Sequence, residues 1–245
     1  MFLAIDIGNT SVSFGIFKGK RLAYSWKAST GQILANKAFV LKNSKEIDAA
    51  IISSVVPKAA PIVKNVIKNK LGIRPLVLGK DLTAPIKNLY RFPKQVGQDR
   101  LVNAVAAKEI YGYPAIVVDF GTAITFDVIS KKGDYSGGII FPGIETSLNA
   151  LSKKAALLPK IKISLPKELI GRDTVSSMIS GVFYGIGSLC DGIVSKIKNT
   201  YGPQKVIATG GHSCLMAKFS SSIDEINPDL TLQGLRIIRE KSFKI

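Results

Sequence analysis

Hydrophobic positions along this chain fall into short apolar runs broken by Gly, Pro, Asn and Asp. Residues 2–7 form a short apolar run, the pattern of a buried strand. Gly8-Asn9 marks a tight turn, and 11–17 then alternates polar and apolar, so a hairpin is predicted with Asp6 near its tip. A third strand is predicted over 21–28, a helix over 31–42, and a buried strand over 47–55 with Ser53 and Ser54 near its end. Pro57 suits the first turn of a helix through Lys70, which Gly72 stops, and 75–78 is another short strand. This order predicts an α/β sheet.

The proline-bearing stretch 80–94 reads as a loop. Val96-Gly97-Gln98-Asp99-Arg100 opens a helix to Tyr111, so Asp99 stands at a helix N-terminus. The dipole there favours an ionised carboxylate. By position alone Asp99 reads as a helix cap. The opening pattern then returns: an apolar strand over 114–119 ends in Asp119, Phe120-Gly121-Thr122-Ala123 makes a turn, and strands follow over 124–129 and 135–141. Asp-x-Gly at Asp6 and at Asp119, each between a buried strand and a hairpin, implies two similar halves. The halves are expected at 1–112 and 113–245, with one ligand between them.

Gly137-Gly138 and Pro142-Gly143 lead into a helix over 144–156, a basic linker spans 159–166, and a long helix runs from Thr174 to Tyr201. On that helix Gly181 and Gly185 share a face and permit close backbone approach, for helix packing, a dimer or a nucleotide. A strand over 205–208 bends at Thr209-Gly210-Gly211-His212-Ser213, where backbone donors suit a nucleotide. The tail, 234–244, reads as a charged helix.

Composition narrows the function. With 46% hydrophobic residues, 21% charged residues and only two cysteines among 245, the chain reads as globular, cytoplasmic and thiol-bearing. It shows no secretory signal and no comfortable membrane span. The net charge of +17 raises nucleic acid as a partner. The lysines are scattered without a basic–aromatic stripe, which favours solvated faces and a field that attracts small anions. P-loop and Rossmann fingerprints are absent. His212, the only histidine, cannot build a triad or a histidine metal cluster, and its Gly-Gly setting marks a turn residue. Asp6, Asp99 and Asp119 are left as the chemical candidates. Small residues at the first turn bring backbone N–H groups to an anion while Asp6 holds Mg²⁺, or else Asp6 caps its own turn.

The duplicated Asp-x-Gly hairpins with Thr209-Gly210-Gly211 resemble the acetate and sugar kinase, chaperone ATPase and actin superfamily. More narrowly, the set resembles type III pantothenate kinases. Its blocks are Asp6-Ile7-Gly8-Asn9-Thr10, Val96 to Arg100, Asp119 to Ala123 with Thr125, Gly137-Gly138 to Pro142-Gly143, and Gly171-Arg172-Asp173-Thr174. The resemblance implies an α/β fold of two duplicated ribonuclease-H-like halves, each a mixed sheet flanked by helices, with a nucleotide cleft between them. It implies ATP-dependent phosphorylation of pantothenate to 4'-phosphopantothenate, the first step toward coenzyme A.

Carried over by motif, Asp6, Ile7, Gly8, Asn9, Thr10, Ser11, Val12 and Ser13 form the first phosphate loop, with Asp6 near Mg²⁺. Thr122, Gly210 and Gly211 bind nucleotide. Tyr90, Gly97, Gln98, Asp99, Arg100 and Thr174 line the pantothenate site, with Asp99 as proton acceptor in place of a cap. Asp119 binds a monovalent cation, K⁺ or NH4⁺, and the family works as a homodimer. Gln98 departs from the usual alanine, and Phe92 from the asparagine that often precedes the proline. The other readings are a catalytically silent regulatory or accessory protein of the same fold, and another small-molecule kinase of the superfamily. No nucleic acid or membrane partner is expected.

Overall fold

The computed structural model describes residues 1–35 and 46–243. It forms two compact units. The first comprises Met1–Gly112, Gly133–Ser136 and Asp229–Ile245, the second Tyr113–Lys132 and Gly137–Pro228. The terminal helix therefore belongs with the first half of the sequence, beyond a simple division at 112.

In the first unit, strands β1 (Phe2–Ile7), β2 (Ser11–Lys18), β3 (Arg21–Ser29), β4 (Ala49–Ser54) and β5 (Leu76–Val77) form one sheet in the order β3-β2-β1-β4-β5. β1 pairs antiparallel with β2 and parallel with β4. Both faces are covered, which is why β1 is apolar at every position but Asp6. Leu3, Ile5 and Ile7 pack toward α1 (Thr30–Leu34) and α2 (Ala59–Leu71) with Ile33, Val63 and Ile67. Phe2 and Ala4 pack on the other face with Val102 and Val105 of α3 (Gln98–Tyr111) and Leu232 and Leu235 of α7 (Leu230–Phe243). Gly234 allows α3 and α7 to touch, since a Cβ there would lie 2.5 Å from the Val102 carbonyl oxygen.

The expected helix over 31–42 is seen only as α1; 36–45 lie outside the described residues, as does Lys244, the last residue of the expected terminal helix. Pro57 precedes α2 instead of entering its first turn, because Lys58 is the N-cap. Gly72 ends α2 at φ 69°, the left-handed conformation that glycine adopts at low cost.

The second unit repeats the scheme. β6 (Ala115–Phe120), β7 (Ala123–Ile129), β8 (Tyr135–Pro142), β9 (Lys205–Thr209) and β10 (Glu225–Ile226) run in the order β10-β9-β6-β7-β8. β6 pairs antiparallel with β7 and parallel with β9, as β1 does with β2 and β4. Ile116, Val118, Phe126 and Val206 share a core with α4 (Ile144–Lys154), α5 (Thr174–Tyr201) and Met216 of the short α6 (Ser213–Met216). By length and composition α5 is apolar enough to cross a membrane, but half of that window is buried in the structure, the mark of a core helix. Gly181 and Gly185 meet nothing within 4 Å among the described residues, so they do not serve helix packing within this chain. Close approach occurs at Gly187, where a Cβ would strike the Phe219 backbone.

Asp191, on α5, accepts bonds from Ser220 Oγ (2.6 Å), Ser221 N (3.1 Å), Ser221 Oγ (3.0 Å) and Ser222 N (3.0 Å). Burial works against its charge, but these bonds win and bring the carboxyl from 3.8 down to about 2. A depressed carboxyl contributes stability that is present above its unfolded value and lost as pH falls through its folded one. Thermal melts between pH 2 and 5 should therefore fall less steeply toward acid in Asp191→Asn than in the parent.

Candidate active site

Each unit places one carboxylate one residue before the end of its first strand. Asp6 is in register with Ser13 of β2 and Ser53 of β4. Asp119 is in register with Thr125 of β7 and Thr209 of β9. Residues opposite one another on neighbouring strands share a face of the sheet. Each aspartate is thus flanked on both sides by a hydroxyl residue.

The turns that follow are held by the same device. Gly8 N donates to Ser11 O (3.0 Å), leaving Asn9 and Thr10 exposed at the tip. Thr30, the first residue of α1, donates from Oγ1 to Gly8 O (2.7 Å) and from N to Thr10 O (3.1 Å). In the second unit Gly121 N donates to Ala123 O (3.1 Å), while Thr122 O accepts from Gly143 N (3.0 Å) and Thr146 Oγ1 (2.7 Å) at the start of α4. Each bond contributes on the order of 1 kcal/mol, and together they hold a turn whose own residues are exposed. Gly143 is needed there, because a Cβ would run into the carbonyls of Gly121 and Thr122.

Asp99 occupies the second position of α3. It does not cap the helix, for the N-cap is Gly97 and no side-chain cap bond forms. A Cβ on Gly97 would sit 2.5 Å from Asp99 Oδ1, so glycine lets the carboxylate fold back over the helix start. Burial pushes the Asp99 carboxyl above its ordinary value. The Arg100 N–H, at 2.8 Å from Oδ1, and the Arg100 charge offset part of that rise. The helix dipole alone predicts firm ionisation; desolvation outweighs it.

Arg100 is buried, with its Cζ 5.9 Å from the Tyr135 ring centroid, and Tyr135 is tilted against Tyr90 at 6.5 Å. Tyr90 and Arg100, the neighbour of Asp99 in the chain, are so brought together through Tyr135, a fully buried residue that sequence reading did not single out. Its distance in sequence from the helix hid it. Gln98 lies over Gly79, whose φ of 81° and lack of a side chain make room for the amide. Phe92 is 57% exposed.

In the second unit Gly210, at φ 92°, lies against the Asp119 carboxylate and the Phe120 backbone. His212 N donates to Phe120 O (3.1 Å), so the lone histidine is the turn residue expected. Thr122 and Gly211 are exposed, and exposed Thr174 opens α5 behind a capping box of Asp173 and Ser176. Asp127 is fully buried and accepts from Thr125 Oγ1 at 2.8 Å. Sequence reading missed its burial, since a charged residue inside an alternating strand is ordinarily on the wet face.

Among the described residues no three His, Cys, Asp or Glu side chains gather into a metal cage. The donors present are single carboxylates beside hydroxyls. Ser53 Oγ and Thr209 Oγ1 are buried and find no hydrogen-bond partner. An oxygen-only donor set of this size fits hard cations that keep water and substrate oxygens as their other ligands.

The fold class is now defined: mixed α/β, two five-stranded sheets of one topology flanked by helices. A solved structure from Campylobacter jejuni, described as a candidate Baf family transcriptional activator, shares it at TM-score 0.63 and 25% identity, covering 99% of this chain and 100% of that one. A candidate N-acetylmannosamine kinase from Listeria monocytogenes shares the fold at TM-score 0.54 and 14% identity, with 99% of each chain covered. The family model described as type III pantothenate kinase matches residues 2–196. A type III pantothenate kinase of Halalkalibacterium halodurans is 40% identical over 253 residues, spanning 99% of this chain and 100% of its own. The chain belongs to the type III pantothenate kinase family, whose members are phosphotransferases.

Proposed function

We propose that this protein transfers the γ-phosphoryl group of ATP to the primary hydroxyl of pantothenate, forming 4'-phosphopantothenate for coenzyme A synthesis. The observation that carries the reading is Asp99: a desolvated carboxylate at a helix start, with Arg100 beside it and Gly97 making space for it. The hydroxyl oxygen forms a bond to the γ-phosphorus, the bond from that phosphorus to the ADP oxygen breaks, and the hydroxyl proton passes to Asp99. A raised carboxyl is the better acceptor, provided it remains ionised at working pH.

Phosphoryl transfer needs positioning and charge neutralisation more than covalent help. The strapped turn from Asp6 to Ser13 offers backbone N–H groups to phosphate oxygens. Thr122, Gly210 and Gly211 offer exposed hydroxyl and backbone groups to the nucleotide. Arg100, Tyr90, Gly97 and Gln98 orient pantothenate, whose carboxylate suits a buried guanidinium; Thr174 joins that set by motif. Asp6 would hold Mg²⁺ and Asp119 a monovalent cation, K⁺ or NH4⁺, and these ions would neutralise phosphate charge when bound. Duplication of a ribonuclease-H-like half accounts for the equal sheets and matched registers. A homodimer and a cytoplasmic location belong to the same reading. Ile140, Leu157, Ile170 and Val175 of the second unit are exposed apolar residues that a partner copy would cover.

The test is a coupled ADP assay on purified protein with ATP, Mg²⁺ and pantothenate, with and without K⁺. Pantothenate-dependent ADP that rises with K⁺ is the expected result. A second reading, a silent regulatory protein, draws on the description of the Campylobacter relative. Nucleotide binding with no turnover on pantothenate would favour it, and turnover on a sugar instead would favour another kinase of the superfamily.

A further inference from the structure

Two buried hydroxyls stand out because the fold gives them no partner and places them at equivalent points. Ser53 is wholly inaccessible on β4, and its Oγ makes no hydrogen bond. Thr209 is wholly inaccessible on β9, and its Oγ1 makes none. β4 and β9 hold the same place in the two sheets, each parallel to the strand that carries the aspartate. Ser53 pairs in register with Asp6, and Thr209 with Asp119. Neighbouring strands run about 4.8 Å apart, so residues at one register position on one face stand side by side.

A buried hydroxyl left without a partner costs about 1–3 kcal/mol. Leaving one could be an accident of packing. Leaving two at equivalent positions, each beside the carboxylate of its own unit, points to a shared purpose. The neighbouring residues sharpen the contrast. Ser54, one position on from Ser53, is satisfied locally, accepting from Val56 N and donating to Val56 O at 3.1 Å each. Ser213, close after Thr209, donates from Oγ to Gly210 O at 2.9 Å. Hydroxyls in these segments find partners when they serve only the chain.

We infer that Ser53 and Thr209 are paired oxygen ligands, each completing with its neighbouring aspartate the site for that unit's cation. Ser53 would serve the divalent ion with Asp6, and Thr209 the monovalent ion with Asp119. A carboxylate and a hydroxyl together hold the divalent ion that travels with a nucleotide in other phosphoryl-transfer proteins. A hydroxyl oxygen also suits a monovalent cation, because it adds a lone pair without a second charge. This assignment rests on the ion sites of the proposed function and adds to each a ligand that no motif marks.

The test uses Thr209→Val, which keeps shape and removes the hydroxyl, Thr209→Ser, which keeps the hydroxyl, and Ser53→Ala, with Asp119→Asn and Asp6→Asn alongside. Monovalent binding is read by thallium-205 NMR titration with Tl⁺ and by the melting shift in KCl against choline chloride. Divalent binding is read by electron paramagnetic resonance of Mn²⁺ with ADP. Thr209→Val should weaken Tl⁺ about tenfold and abolish most of the KCl shift, while Thr209→Ser restores both; each ligand oxygen is typically a modest share of a hard-cation shell. Ser53→Ala should weaken Mn²⁺–ADP by a similar factor and leave Tl⁺ unchanged.

In choline chloride, without divalent ion, Thr209→Val and Ser53→Ala should melt no lower than the parent, because each removes an unpaired buried hydroxyl. Unchanged ion binding in both, with Asp119→Asn and Asp6→Asn weakened, overturns the hydroxyl assignment and leaves the ion sites standing. Unchanged binding in the aspartate variants as well overturns the ion sites themselves. A lower melting point in both hydroxyl variants with unchanged ion binding shows the hydroxyls to be structural, and overturns the assignment too.

Discussion

Asp99→Asn should fold as the parent does and lose about 10²- to 10⁴-fold in kcat, the ordinary contribution of a positioned general base. Asparagine has the same shape, so Gly97 still accommodates it and Arg100 N still meets an oxygen at the same place. What it lacks is the capacity to take a proton. The KM for pantothenate should change little, since Arg100 and Tyr90 remain. Stability should not fall. A carboxyl raised by burial holds its proton more tightly folded than unfolded, so its ionisation above that value burdens the fold. Asparagine lifts the burden, and the melting point near neutral pH should equal or exceed the parent's. The pH profile supplies the second readout. In the parent, kcat/KM should fall toward acid as Asp99 takes up its proton, with a midpoint above the ordinary 3.8 of a carboxyl. Full turnover in Asp99→Asn, or an acid limb at or below that ordinary value in the parent, would remove Asp99 from the role.

Gly210→Ala should be a strongly damaging single-methyl change in the second unit. Two costs act together. Gly210 sits at φ 92°, a conformation that costs a side-chain-bearing residue about 1–2 kcal/mol. The added Cβ would also fall on Asp119 Oδ1 and within 2.8 Å of the Phe120 backbone, and overpacking of that kind adds about 1–3 kcal/mol. The sum, on the order of 3 kcal/mol, corresponds to a melting point lower by roughly 6–12 °C for a chain of this size. The neighbour that must yield is Asp119, so cation binding should weaken as well. Gly211→Ala, one residue on, makes the control. It is exposed and carries no positive φ, so it should melt within about 1–2 °C of the parent. Equal melting of the two variants would show that the contact between Gly210 and Asp119 does not constrain this turn.

Sequence patterns made the strands legible where burial was two-sided. β1 and β6 are apolar runs interrupted only by their aspartate, because helices cover both faces, and their bounds lie within a residue of those expected from the runs. The long helix α5 was legible at both ends, running from Thr174 to Tyr201 as expected. β10 was missed, being two residues long and lacking any alternation. Helix α2 began later than Pro57 indicates, because the first backbone bonds run from Ala59 to the Val56 carbonyl and leave the proline in the preceding turn. Within the candidate site, glycine-marked turns and terminal aspartates were visible because backbone geometry leaves a mark on residue type. Tyr135, Asp127 and the hydroxyls of Ser53 and Thr209 were not, since their significance depends on which strand lies alongside.

By itself the sequence showed the repeated strand–Asp-x-Gly–hairpin pattern and three candidate acids, because apolar runs and glycine placement are local properties, and its short motifs carried the resemblance to the family. Tertiary structure alone decided that the terminal helix belongs with the first sheet. It also decided that Asp99 is desolvated instead of capping α3, and that each hairpin turn is strapped by the next helix. Those outcomes come from long-range register and burial. Two residues distant in the chain acquire a shared fate only when a sheet lays them side by side and removes the water between them.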